Sequence, residues 1–156
     1  MFLCVSTIRL AFCFGIPQNL SVLVDAAKSL PQVTFKVIGV GQNLKEVERY
    51  KEKREASNFS LIGSLSWEEL INVYKESDIL YAQLGQSFSG AVPSKLYEYL
   101  STGKFIIYGG AGEALRLLAD FENKITISPD DPDALVEAIK VTIKNKMFEE
   151  NSAKNK

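Results

Sequence analysis

Strand-length apolar runs that alternate with longer stretches of helical period predict an α/β fold, a three-layer domain built on a six-stranded parallel sheet. Three observations carry this expectation. Runs such as TFKVIGVG (34–41), DILYAQL (78–84) and KFIIYGG (104–110) have the length and apolarity of strands, each is followed by a helical pattern, and no internal repeat or linker divides the chain. A length of 156 residues suits one domain, enough to bury roughly 70% of the surface that the unfolded chain exposes. The domain is expected to span 1–148, with 149–156 as a polar tail.

The elements follow in order. The opening MFLCVSTIRLAFCFG lacks a basic leader, carries Arg9 in its middle and is too short to span a bilayer, so it reads as a strand, with IRLAFCF at 8–14. A helix over 18–30 places Leu20, Leu23, Ala27 and Leu30 on one stripe. The second strand, 34–41, ends in two glycines. LKEVERYKEKREA (44–56) has the charge spacing of a solvated outer helix. NFSLIG (58–63) is a third strand, and SWEEL opens a helix in which Ser66 and Glu69 form a capping box. The fourth strand is 78–84, GQSFSGA (85–91) reads as a flexible loop, and VPSKLYEYLSTGK (92–104) is a helix that starts at a proline and stops at a glycine. KFIIYGG is the fifth strand, GEALRLLADF a helix and KITIS (124–128) the sixth strand. The last helix starts at Asp131 and Pro132 and runs to about Lys146.

Composition narrows the function. Eighteen Lys and Arg against 19 Asp and Glu leave a net charge of -1, which gives no reason to expect nucleic acid or an anionic membrane as ligand. Cys4 and Cys13 lack metal or redox spacing and read as buried thiols. The absence of histidine removes the commonest general base and a common metal ligand. With no apolar run of spanning length, no direct membrane span and a cytoplasmic location are expected.

The chemistry is concentrated in VPSKLYEYLSTGK. With Pro93 as first helical residue, the N–H groups of Ser94, Lys95 and Leu96 lack intrahelical partners, and the helix dipole favours an anion beside them. Lys95 then offers a point charge to a diphosphate and Ser94 a hydroxyl donor. Glu98, a turn further on, is an acceptor suited to the two hydroxyls of a ribose. A plain surface ion pair between Lys95 and Glu98 explains the same spacing, and both readings stand. Gly15, directly after a strand and before a helix, would let the backbone approach the diphosphate from another side. Neither a GxGxxG fingerprint nor a P-loop is present.

The series from FGIPQNLSVLVDAAKSLPQVTFKVIGVG through FSLIGSLSWEELINVYKESDILYAQL to VPSKLYEYLSTGKFIIYGGAGEA and ISPDDPDALVEAIK resembles the Rossmann-like, C-terminal donor-binding half of GT-B glycosyltransferases of group 1, the retaining enzymes of capsule, lipopolysaccharide and glycan assembly. PSKLYEYLSTGK is its most specific piece. The resemblance implies that Glu98 holds the ribose, that Ser94, Lys95 and Gly15 lie at the diphosphate, and that the backbone from Gly63 to Leu65 meets the base. It also implies a catalytic role for Lys95, which would offset charge on the departing diphosphate.

The implied donor is a UDP-linked hexose, with no cofactor and no protein-bound metal. The implied acceptor is a glycan or lipid-linked sugar, held by an N-terminal acceptor domain or subunit that could sit at the inner membrane. Trp67 is read as a packing residue rather than a platform for the base, and Gly109, Gly110 and Gly112 as a turn or a ligand contact. Many family members have a further glutamate eight positions before the ribose glutamate, where this chain has Gly90. A noncatalytic nucleotide-binding or regulatory module and half of a sugar-nucleotide epimerase are the alternatives.

Overall fold

The computed structural model describes residues 8–13, 19–41, 44–88 and 90–148. The strands are β1 (Ile8–Cys13), β2 (Val33–Ile38), β3 (Phe59–Ile62), β4 (Ile79–Gln83), β5 (Phe105–Gly109) and β6 (Lys124–Ile127). They form one all-parallel sheet in the order β3-β2-β1-β4-β5-β6. The helices are α1 (Ser21–Ser29), α2 (Leu44–Arg54), α3 (Trp67–Glu76), α4 (Ser94–Thr102), α5 (Glu113–Leu118) and α6 (Pro132–Lys144).

Period-two alternation along the strands divides the interior into two apolar clusters. Leu10 and Phe12 of β1, Ile79 and Tyr81 of β4, and Phe105 and Ile107 of β5 join the cluster beneath α1, α2 and α6. Ala11, Leu80, Ala82, Ile106 and Tyr108 join the one beneath α3, α4 and α5. The sheet thus lies between two helical layers, as the sequence predicts. The direction of strand order reverses between β1 and β4, and in such sheets the loops beyond the carboxyl ends at that reversal form a crevice.

Asn58 ties this framework together: its amide nitrogen lies 2.9, 2.9 and 2.7 Å from the carbonyls of Ala27, Leu30 and Val33, joining the end of α1 and the start of β2 to β3. At the reversal, Asp78 accepts from the Arg9 amide at 2.9 Å and returns its own N–H to the Arg9 carbonyl at 2.8 Å.

Several boundaries differ from expectation. β2 stops at Ile38 instead of continuing to Gly41, because Gly39 turns out of the strand at φ 148° and Val40 is exposed. α2 ends at Arg54, just before Glu55 at φ 55°. The 85–91 loop contains a 3₁₀ turn at Gln86–Phe88. α5 and α6 are shorter at their C-terminal ends than their sequence patterns. Cys4, Phe14, Gly15, Gln18 and the 149–156 tail lie outside the described residues.

Candidate functional site

α3 and α4 face one another on the same side of the sheet and enclose a groove of about 310 Å³, lined by Trp67, Ile71 and Tyr74 of α3, Glu98 and Ser101 of α4, and Lys104. Each helix is fixed by its inner stripe. Leu70 and Tyr74 anchor α3, and Leu96 and Tyr99 anchor α4. Leu96 and Tyr99 are fully buried, each worth about 1.5–3 kcal/mol of transfer free energy. Tyr74 and Tyr99 meet edge to face, with ring centroids 5.6 Å apart and an interplanar angle of 84°.

α4 begins one residue later than the sequence predicts. Pro93 is the N-cap, with extended φ -60° and ψ 130°, and Ser94 is the first helical residue. The Pro93 carbonyl accepts from the Leu96 amide at 3.0 Å, so that amide is occupied. The amides of Ser94 and Lys95 have no hydrogen-bond partner among the described residues, and no side chain caps the helix. Gly103 ends α4 in the left-handed conformation at φ 69°, which glycine adopts without a Cβ penalty.

On the polar side of α4, Lys95 and Glu98 meet as an ion pair. The Lys95 ammonium lies 3.0 Å from Oε1 and 3.2 Å from Oε2 of Glu98, with about three-tenths of each side chain exposed. A second donor arrives from across the groove: the Tyr74 hydroxyl donates to Glu98 Oε2 at 2.7 Å. The structure therefore brings Lys95 and Glu98 together as the ion-pair reading requires, and holds the carboxylate on the wall of the groove.

Gly63 and Leu65 lie between β3 and the capped start of α3. Gly63 is exposed, and a Cβ added there would meet no atom within 4 Å, while Leu65 is partly buried against the second cluster. Ser66 accepts from the Glu69 amide at 3.2 Å and the Glu69 carboxylate accepts from the Ser66 amide at 2.8 Å, completing the expected capping box. Backbone donation from Ser66, followed by its side chain, lowers the Glu69 carboxyl below its ordinary pKa.

Trp67 corrects an expectation. It is 58% exposed instead of packed. It continues the stripe of Leu70, Ile71 and Tyr74, but one turn earlier, at the first helical position, where the stripe runs past the buried part of α3.

Gly109 and Gly110 have a packing explanation. A Cβ would come within 2.9 Å of the Tyr81 hydroxyl at Gly109 and within 2.6 Å of the Tyr108 hydroxyl at Gly110, so each glycine makes room for a tyrosine. Burial raises the pKa of both phenols, with Asp130 and Tyr108 adding smaller effects at Tyr81. Tyr81 donates to Gln83 at 2.8 Å, whereas the buried Tyr108 hydroxyl has no partner among the described residues. Gly112 has φ 79° and caps α5.

No group of three or more potential metal ligands occurs among the described residues, and no described helix is long and apolar enough to cross a membrane.

The sequence model of the family described as "Glycosyl transferases group 1" matches residues 14–156. An uncharacterized glycosyltransferase of Methanocaldococcus jannaschii is 26% identical over 141 residues, covering 90% of this chain and 39% of its own length. The fold is also that of Anabaena HepE, solved in complex with UDP and glucose, at TM-score 0.76 and 17% identity over 93% of this chain and 41% of HepE. The catalytic domain of the Helicobacter pylori cholesterol-alpha-glucosyltransferase aligns at TM-score 0.73 and 16% identity, covering 96% of this chain and 97% of that domain. The chain thus spans about two fifths of the length of the M. jannaschii relative and of HepE.

Proposed function

This chain belongs to the glycosyl transferases group 1 family, and from that premise we propose that it is the donor half of a sugar-transferring enzyme, binding a UDP-linked hexose at the head of the groove between α3 and α4. The observation that carries the proposal is the uncapped start of α4, where the amides of Ser94 and Lys95 have no partner among the described residues and the Lys95 side chain pairs with Glu98 one turn further on. An anion placed there meets N–H donors, the positive end of the helix dipole and a cation. HepE, with UDP and glucose bound on the same fold, supports the choice of nucleotide.

In this reading Glu98 grips the ribose, the open backbone at Gly63 and the Leu65 segment meet the base, and the exposed Trp67 indole offers a stacking face beside them. The family resemblance also assigns Gly15, which lies outside the described residues, to the diphosphate. During transfer, the bond between the anomeric carbon and the diphosphate breaks, and the charge left on the departing oxygen is met by Lys95 and the helix start. The anomeric carbon bonds with retention to a hydroxyl oxygen of a glycan or lipid-linked acceptor, and the proton of that hydroxyl passes to the departing diphosphate oxygen. An acceptor domain or subunit completes the site, because the chain corresponds to about two fifths of its longer relatives. No metal or cofactor enters this scheme.

Thermal-shift measurements with UDP, GDP, ADP and their sugars test the assignment. A nucleotide at 100 times its dissociation constant adds about 2.7 kcal/mol of stability, and Glu98→Ala is expected to weaken UDP binding by more than about tenfold. An unmoved melting curve with every nucleotide, or full UDP affinity in Glu98→Ala, would sink it.

A further inference from the structure

We infer that Tyr74 is the positioning residue that holds Glu98 in its ribose-binding orientation once Lys95 has left it for the diphosphate; this rests on the donor-site reading above. Two donors converge on Glu98, and they differ in how firmly each is held. Lys95 reaches it with a long, partly exposed side chain from the same helix. Tyr74 reaches it from α3 with a side chain that is almost wholly buried, its ring braced against Tyr99. Packing requires the ring but not the hydroxyl, since a phenylalanine would fill the same space. The hydroxyl instead crosses the groove to Oε2 at 2.7 Å, a distance typical of a strong bond to a charged acceptor.

The consequence appears when a nucleotide arrives. A diphosphate at the α4 start attracts the Lys95 ammonium more strongly than one carboxylate does, and the ion pair gives way to a phosphate contact. Glu98 then loses its mobile donor at the moment it must face two ribose hydroxyls. A carboxylate has roughly four acceptor sites. Tyr74 occupies one on Oε2, fixes the plane of the group and leaves acceptor sites on both oxygens for the diol. The hydroxyl acts on ribose recognition through Glu98 and touches no substrate itself.

Calorimetric titration of wild type, Tyr74→Phe, Glu98→Ala and the double variant with UDP and with 2′,3′-dideoxyuridine diphosphate tests the inference. Tyr74→Phe is expected to weaken UDP binding roughly five- to tenfold, to alter dideoxy-nucleotide binding by less than about twofold, and to have no further effect in the Glu98→Ala background. If Tyr74→Phe binds UDP like wild type while Glu98→Ala does not, the positioning role fails and the donor-site reading survives. Equal weakening toward both nucleotides, or effects that add in the double variant, assign Tyr74 to packing and also overturn the inference. Full UDP affinity in Glu98→Ala removes the underlying reading instead.

Discussion

α3 and α4 share one face of the sheet and one groove, yet their first turns are completed differently. α3 closes itself: Ser66 and Glu69 exchange hydrogen bonds and consume two otherwise orphaned donors. α4 begins after a proline whose side chain can accept nothing, and the amides of Ser94 and Lys95 stay available. α6 repeats the closed pattern, with Asp131 accepting from Ala134 at 2.9 Å and Pro132 at the first turn. The starts of α1 and α5 also lack a side-chain cap, so what distinguishes α4 is the Lys95–Glu98 pair beyond its open start and the Tyr74 hydroxyl that meets it.

The largest expected effect comes from closing α4. Pro93→Ser supplies a cap that competes for the free amides, adds about 1 kcal/mol of stability and weakens UDP binding roughly tenfold. Unchanged UDP affinity in calorimetry would show that the open start is unused. A smaller effect comes from opening α6: Asp131→Ala is expected to cost about 1 kcal/mol and lower Tm by roughly 2–4 °C, with UDP affinity unaltered. Lost affinity there would break the distinction between capped and open helices.

The smallest effect concerns Glu69. Its folded pKa lies below the ordinary 4.5, chiefly through the Ser66 backbone bond. The stability it contributes is therefore present above the ordinary carboxylate range and is lost as pH falls through the lowered value. Because glutamine retains part of the capping box, denaturant titrations of wild type and Glu69→Gln should differ slightly at neutral pH and converge in acid. A difference that persists in acid would exclude the charge as its source.

The sequence carried most of the architecture because periodicity and capping are local signals. Leu20, Leu23, Ala27 and Leu30 are all buried as their spacing predicts, and Ser66–Glu69 and Asp131–Pro132 stand where their caps require. Strand ends were less legible, as at β2, where Gly39 and not Gly41 ends the pairing. Around the groove, the spacing placed Ser94, Lys95 and Glu98 on one polar side of α4. The Tyr74 contact was invisible, because Tyr74 is 24 positions from Glu98 and shares the spacing of an ordinary core residue of α3. Trp67 misled for a related reason: its stripe is apolar, but a stripe does not say where the buried layer ends.

The outermost strands have a consequence for self-association. β3 and β6 are four residues each and form the two borders of the sheet. Strands this short offer little unpaired backbone as a template for a strand from another copy. Sheet-to-sheet polymerisation is thereby disfavoured at both margins, by brevity alone.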